Sequence, residues 1–178
     1  MNEKVEDKAK KAYKLAYDYE RNLGSCPQCT IKALQEVYGE ANSDQFQALG
    51  GFAGGGGAKC DGICGAYAAG IFFIGTKTGR RMEDIGKDAE DPKGEKKHKD
   101  QFNMVRKLHD KYIEKYGNVI CSNIHTKIYG RPFYISDRDE YKKFEEAGGH
   151  DWGCTSVCGD AAKWTVEIYE EFLQKQNK

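Results

Sequence analysis

An excess of charge of either sign is missing from this chain. Its 178 residues carry 28 Lys plus Arg against 28 Asp plus Glu. Composition therefore points to neither nucleic acid nor an acidic substrate. No basic stripe interleaved with aromatics occurs, which argues against a nucleic-acid-binding surface. A signal-peptide h-region is missing from the N-terminal MNEKVEDKAKKAYKLAYDYE, which is amphipathic and mixes both signs. The expected location is cytoplasmic, although a leader already removed is compatible with the sequence. Long apolar runs are missing too. The longest, Ile63 to Gly75, falls short of the ~20 residues that a bilayer span needs, and it reads as a buried helix.

Several motifs are also missing. The stretch GGFAGGGGAKCDGICGAYAAG fails the Walker pattern, because Lys59 follows Ala58 and precedes Cys60, and it holds no clean G-x-G-x-x-G. Thr30 follows Cys29, so there is no C-x-x-C-H for covalent haem. The C-x-x-C-x-x-C run of ferredoxins does not occur. Nor does a local Ser-His-Asp or Cys-His hydrolase signature, an internal repeat or a low-complexity linker.

Helical periodicity is what the chain does have. Val5, Ala9, Ala12, Ala16 and Tyr19 mark one face of a first helix running to about Leu23. A second starts at CPQCTIKALQEVYG, with Pro27 in its first turn and Gly39 at its end. Ser43 is placed to cap a short helix through Leu49. A fourth helix is expected from about Lys59 to Gly75, followed by a solvated loop, TKTGRRMEDIGKDAEDPKGEKKHK. Phe102, Val105, Leu108, Tyr112 and Tyr116 define an amphipathic helix ending at Gly117. Cys121 opens a short one stopped by Gly130 and Pro132, and PFYIS is a candidate brief strand. Asp137 to Ala147 forms another short helix before GGHDWG. The last helix carries Cys154, Cys158, Ala161, Thr165, Ile168 and Phe172 on one stripe. The expectation is an all-α fold: a single compact helical bundle of about six to seven helices with a Gly-rich loop, residues 1–178 forming one domain.

Seven cysteines stand at 26, 29, 60, 64, 121, 154 and 158. An odd count without an export signal argues against a disulfide scaffold. Cys60/Cys64 and Cys154/Cys158 are spaced i,i+4, which on a helix puts Cβ atoms roughly 5–6 Å apart. A disulfide wants roughly 3.8 Å, so within intact helices these pairs grip something larger, a metal or a cluster. Only Cys26-Pro-Gln-Cys29 has a plausible internal disulfide. Each pair falls near a helix start, where free N–H groups and the dipole favour thiolates. Glycine is costly to order, and the bare backbone of Gly54, Gly55, Gly56 and Gly57 suits close approach to a cluster, with N–H donors to its sulfurs. A tight turn that lets two helices pack explains the loop about equally well. His125, four after Cys121, and His150, four before Cys154, are able to complete a ligand set, although each reads more simply as an ordinary histidine.

At CGAYAAG the chain resembles the C-GCAxxG-C-C family, small cysteine-rich proteins described as redox-active, mostly from anaerobic prokaryotes. The matching cysteines are Cys29 in CTIKAL, Cys64 in GGFAGGGGAKCDGICGA, Cys121 in YGNVICSNI and Cys158 in CGDAAKWTVEIYEEFL. The resemblance covers about residues 10 to 175. One departure is visible: Ala69 stands where the motif has glycine, with Gly70 next. The family is similar to the non-haem part of split-Soret cytochromes, which carries an iron–sulfur centre. The resemblance implies a helical redox module.

The sequence thus favours an iron–sulfur electron-transfer protein, with Cys29, Cys64, Cys121 and Cys158 as first ligands and Cys26, Cys60 and Cys154 as a second tier. A thiol–disulfide oxidoreductase using Cys26 and Cys29 is one alternative, and a zinc-binding structural module is another. The expected partner is a redox protein, with no nucleic acid and no membrane span. Eleven tyrosines in a chain of modest size are compatible with a homodimer.

Overall fold

A computed structural model describes residues 3–85 and 92–176, the stretch 92–97 as backbone alone. Among the described residues eight α-helices follow one another: α1 (Glu3–Leu23), α2 (Cys26–Tyr38), α3 (Ser43–Leu49), α4 (Gly65–Thr78), α5 (Pro92–Tyr116), α6 (Cys121–Tyr129), α7 (Arg138–Glu146) and α8 (Cys154–Gln176). No strand occurs among the described residues; PFYIS is irregular, and an isolated antiparallel bridge joins Ile63 to Ile120. No described helix is long and apolar enough to cross a membrane.

The longest contact is α1 against α8. It is close because both faces are small: Ala9, Ala12 and Ala16 are fully buried on α1, and a Cβ at Gly159 of α8 would lie 2.7 Å from the Tyr13 ring. The fifth buried position of α1 is Glu20, where the periodicity had placed Tyr19. Helix α4 is apolar around most of its surface and packs against α2, α5 and α8, its first six residues all buried, as expected of a helix enclosed by others. Gly70 permits this: a Cβ there would lie 2.7 Å from both Leu108 Cδ2 and Thr165 Oγ1. The buried apolar cluster runs through α1, α2, α4, α5 and α8 and reaches Cys64 and Cys158 at one end.

Several boundaries differ from expectation. Asn42, not Ser43, caps α3, its side-chain oxygen accepting from Gln45 N–H. Helix α4 starts at Gly65 and not near Lys59, so Cys60 and Cys64 do not share a helix face. The reason is the glycine loop, in which Gly54, Gly55, Gly56, Gly57 and Ala58 all have positive φ, as does Cys60. That run of left-handed backbone is incompatible with a right-handed helix, and it costs roughly 1–2 kcal/mol for each residue that carries a Cβ. The charged stretch after α4 is only partly a loop. Helix α4 extends through Thr78, Met82–Asp84 form a 3-10 turn and α5 opens at Pro92, while residues 86–91 lie outside those described.

Candidate metal centre

Several separate parts of the chain meet at a cavity of about 260 Å³, to which α7 and its flanks contribute Ile135, Tyr141, Phe144 and His150. The α1–α2 turn brings Glu20, Gly24, Ser25 and Cys26. The glycine loop brings Ala53, Gly54 and Ala58, and Cys64 caps α4. Helix α6 brings Cys121, Ile124 and His125, and the start of α8 brings Cys154, Val157 and Cys158. Five thiols therefore face one largely apolar space.

Their placement follows from local structure. Cys26 and Cys121 are the first residues of α2 and α6, Cys64 is the N-cap of α4, and Cys154 opens α8 with Cys158 one turn on. Gly65 leaves room for Cys26, whose sulfur is 2.7 Å from where a Cβ would stand. Burial pushes the thiols of Cys26, Cys64, Cys154 and Cys158 above their ordinary value. Against that, polar hydrogens point at several of the sulfurs. Gly54 N–H faces Cys26, and Ala66 and Tyr67 N–H at the start of α4 face Cys64. The Tyr112 hydroxyl, buried and with no other partner, also faces Cys64. Tyr129 Oη lies 3.7 Å from Cys154 Sγ. Each donor favours a thiolate.

A second grouping adjoins the cavity. The sulfurs of Cys60 and Cys121 and an imidazole nitrogen of His125 all lie within 4.8 Å of one another, and all three residues are buried. His125 Nε2 is 3.7 Å from Cys121 Sγ and 3.6 Å from Cys154 Sγ. The Cys121 S–H directed at Cys60, helped by the Ile135 N–H, holds the Cys60 thiol below its ordinary value. Burial alone holds His125 down at about 4, a neutral imidazole. This Cys/His group is able to bind a metal.

Not every expected residue reaches the cavity. The Cys29 thiol turns away, donating to Gly24 O at 2.8 Å, and lies against Glu20. Burial drives both Cys26 and Cys29 up, where a helix start beside Pro27 suggested a lowered value; desolvation outweighs the dipole. Among the four loop glycines, Gly54 lines the cavity. Gly55 lets the Cys60 and Cys121 segments close up, since a Cβ on it would be 2.8 Å from Cys121 Cβ and 3.0 Å from Cys60 Cα. The N–H groups of Gly56 and Gly57 are bonded to Phe52 O and Gly51 O within the loop.

Glu20 was missed by sequence reasoning. It is 2% exposed, its Oε2 has no partner, and its Oε1 lies 3.6 Å from His150 Nε2. His150 in turn contacts Glu145 at 2.5 Å. The available signal was an acid continuing the series Val5, Ala9, Ala12, Ala16 on an apolar face. Tyr112 and Tyr129 left no such sign, since aromatic residues on helix faces read as core.

Compared with known families, residues 24–168 match the model described as "Putative redox-active protein (C_GCAxxG_C_C)". No curated protein and no solved structure matches.

Proposed function

Because the chain belongs to the C_GCAxxG_C_C family, we propose that its redox activity resides in an iron–sulfur cluster held by thiols lining the cavity. The supporting observation is the convergence of Cys26, Cys64, Cys121, Cys154 and Cys158 on one buried space. The donor set fits such a group. Thiolates this deeply buried are costly without a cation beside them, and iron provides it. Sulfur ligands with N–H and O–H donors aimed at them are also the means by which a protein sets a cluster's potential.

A bound cluster supplies one-electron transfer. The chain's own part is to ligate, to exclude water and to stabilise charge on sulfur. Cys64 is central, because Ala66, Tyr67 and Tyr112 all address its sulfur. The apolar walls of Ile124, Ile135, Phe144 and Val157 keep the surroundings at low dielectric. In this reading Cys29 is not a ligand. Exchange with a redox partner protein in a reducing, cytoplasmic setting completes the proposal.

Iron and acid-labile sulfide are measured on anaerobically purified protein, with the visible spectrum before and after dithionite. The expected result is a brown protein bleached on reduction, colour lost in Cys64→Ala and kept in Cys29→Ala. A protein that stays free of iron after anaerobic reconstitution with iron and sulfide overturns the reading. Zinc near stoichiometry without iron or sulfide would instead favour the zinc module.

A further inference from the structure

We infer that Cys60, Cys121 and His125 form a binding site for a single zinc-class divalent ion at the edge of the cavity proposed above for the cluster, Cys121 and His125 lining that cavity and Cys60 standing outside it. The inference builds on that reading only in calling this ion a second one; the site itself stands on its own geometry.

The distances fit one ion. Around a tetrahedral zinc, with sulfur at about 2.3 Å and imidazole nitrogen at about 2.0 Å, neighbouring sulfur and nitrogen ligands stand about 3.5 Å apart. Cys121 Sγ and His125 Nε2 are 3.7 Å apart. All three ligand atoms lie within 4.8 Å of one another, so a modest closure brings them onto a common centre. The ligand chemistry is that of zinc, two soft thiols and an imidazole, with no carboxylate in the group.

Cys60 is the telling residue. It does not line the main cavity, so a cluster there does not use it. Yet it is fully enclosed and holds a left-handed backbone at φ 64°, a conformation that costs energy for a residue with a Cβ. Its backbone is fixed from both sides: Cys60 N–H donates to Gly54 O at 2.8 Å, and Ser122 N–H donates to Cys60 O at 2.8 Å. The absence of a side chain at Gly55 lets the Cys60 and Cys121 segments meet. Strained backbone, paired segments and the missing Cβ together bring the Cys60 sulfur to that of Cys121.

Three protein ligands leave a fourth position. Cys154 Sγ, 3.6 Å from His125 Nε2, would be within reach of it. Cys121 lines the cavity as well, so its thiolate would be available to either group.

The test uses the full chain, purified anaerobically, supplied with Zn2+ and freed of loosely bound metal on a desalting column. Expected is about one zinc per chain in addition to any iron. Cys60→Ala loses the zinc and keeps its iron and sulfide, whereas Cys29→Ala keeps both. Should Cys60→Ala fail to fold, zinc-edge X-ray absorption on the unaltered protein decides: a first shell of sulfur mixed with at least one imidazole nitrogen supports the site. No retained zinc, zinc retained undiminished in Cys60→Ala, or a shell lacking sulfur overturns it. Zinc without iron would sink the cluster reading and leave this one standing; iron without zinc would do the reverse.

Discussion

His125 shows how one residue reports its surroundings. Burial holds its imidazole at about 4, against an ordinary value near 6.5. Between those values the unfolded chain takes up a proton that the folded one refuses. In metal-free protein the stability from this group is therefore whole above about pH 6.5. It falls as pH drops toward 4, by about 3 kcal/mol in all, and changes no further below that. Urea midpoints of metal-free wild type should fall over this window, and His125→Gln should lose that part of the slope. Glu20 works in the opposite direction, its carboxyl being pushed up first by burial, so the difference between the two proteins isolates the histidine. An equal slope in both would refute the assignment. The sequence showed His125 only as a spacing from Cys121; its burial depends on Phe133 and Phe144, whose rings lie 6.1 and 5.3 Å away.

Among the elements, the glycine loop is the one that most needed coordinates. Its composition is visible in the sequence, and two uses for it, a turn and a close approach, were open. The structure shows the turn, in left-handed backbone that only glycine adopts readily, and the close approach it shows is of the Cys60 and Cys121 segments at Gly55. A graded prediction follows for thermal unfolding of the metal-free protein. Gly56 has φ 94° and open space beside it, so Gly56→Ala should cost only the conformational term, about 1–2 kcal/mol. Gly55→Ala adds a Cβ 2.8 Å from Cys121 Cβ, and should cost about 1–3 kcal/mol more for the forced backbone shift. Equal costs would mean that the loop does not press on Cys121. Helices α1, α2, α6 and α8 were legible because their signals are local: apolar residues every three or four positions, with Gly39 and Gly130 as stops. The start of α4 was not, because Cys60 and Cys64 keep helical spacing while Ile63 is drawn into a bridge with Ile120.

For the molecule as a whole, the packed helices and the candidate metal centre are separable to a degree. The buried apolar cluster of α1, α2, α4, α5 and α8 meets the cavity at one end, through Cys64, Val157 and Cys158, with Ile124 of α6 beside them. Stripping metal should therefore leave the far-UV helical signal intact at room temperature while lowering the unfolding midpoint. A ligand at about 1,000 times its dissociation constant adds about 4 kcal/mol, which sets the scale of the loss. Collapse of the helical signal on chelation would show instead that the metal organises the bundle.

By itself the sequence determined an all-helical chain, most of its boundaries, a wealth of thiols near helix starts and the family that shares them. The helices and thiol positions are matters of periodicity and composition, fixed by contacts within a few residues, and the family rests on the resemblance of its cysteine motifs. Only the tertiary structure decided that Cys26 faces the cavity while Cys29 turns to Gly24, that Cys60 pairs with Cys121 and not with Cys64, and that Glu20 lies buried beside the thiols. Those outcomes depend on segments around residues 20, 54, 121 and 154 meeting in space, and no spacing along a single helix encodes which side chains will share the resulting interior.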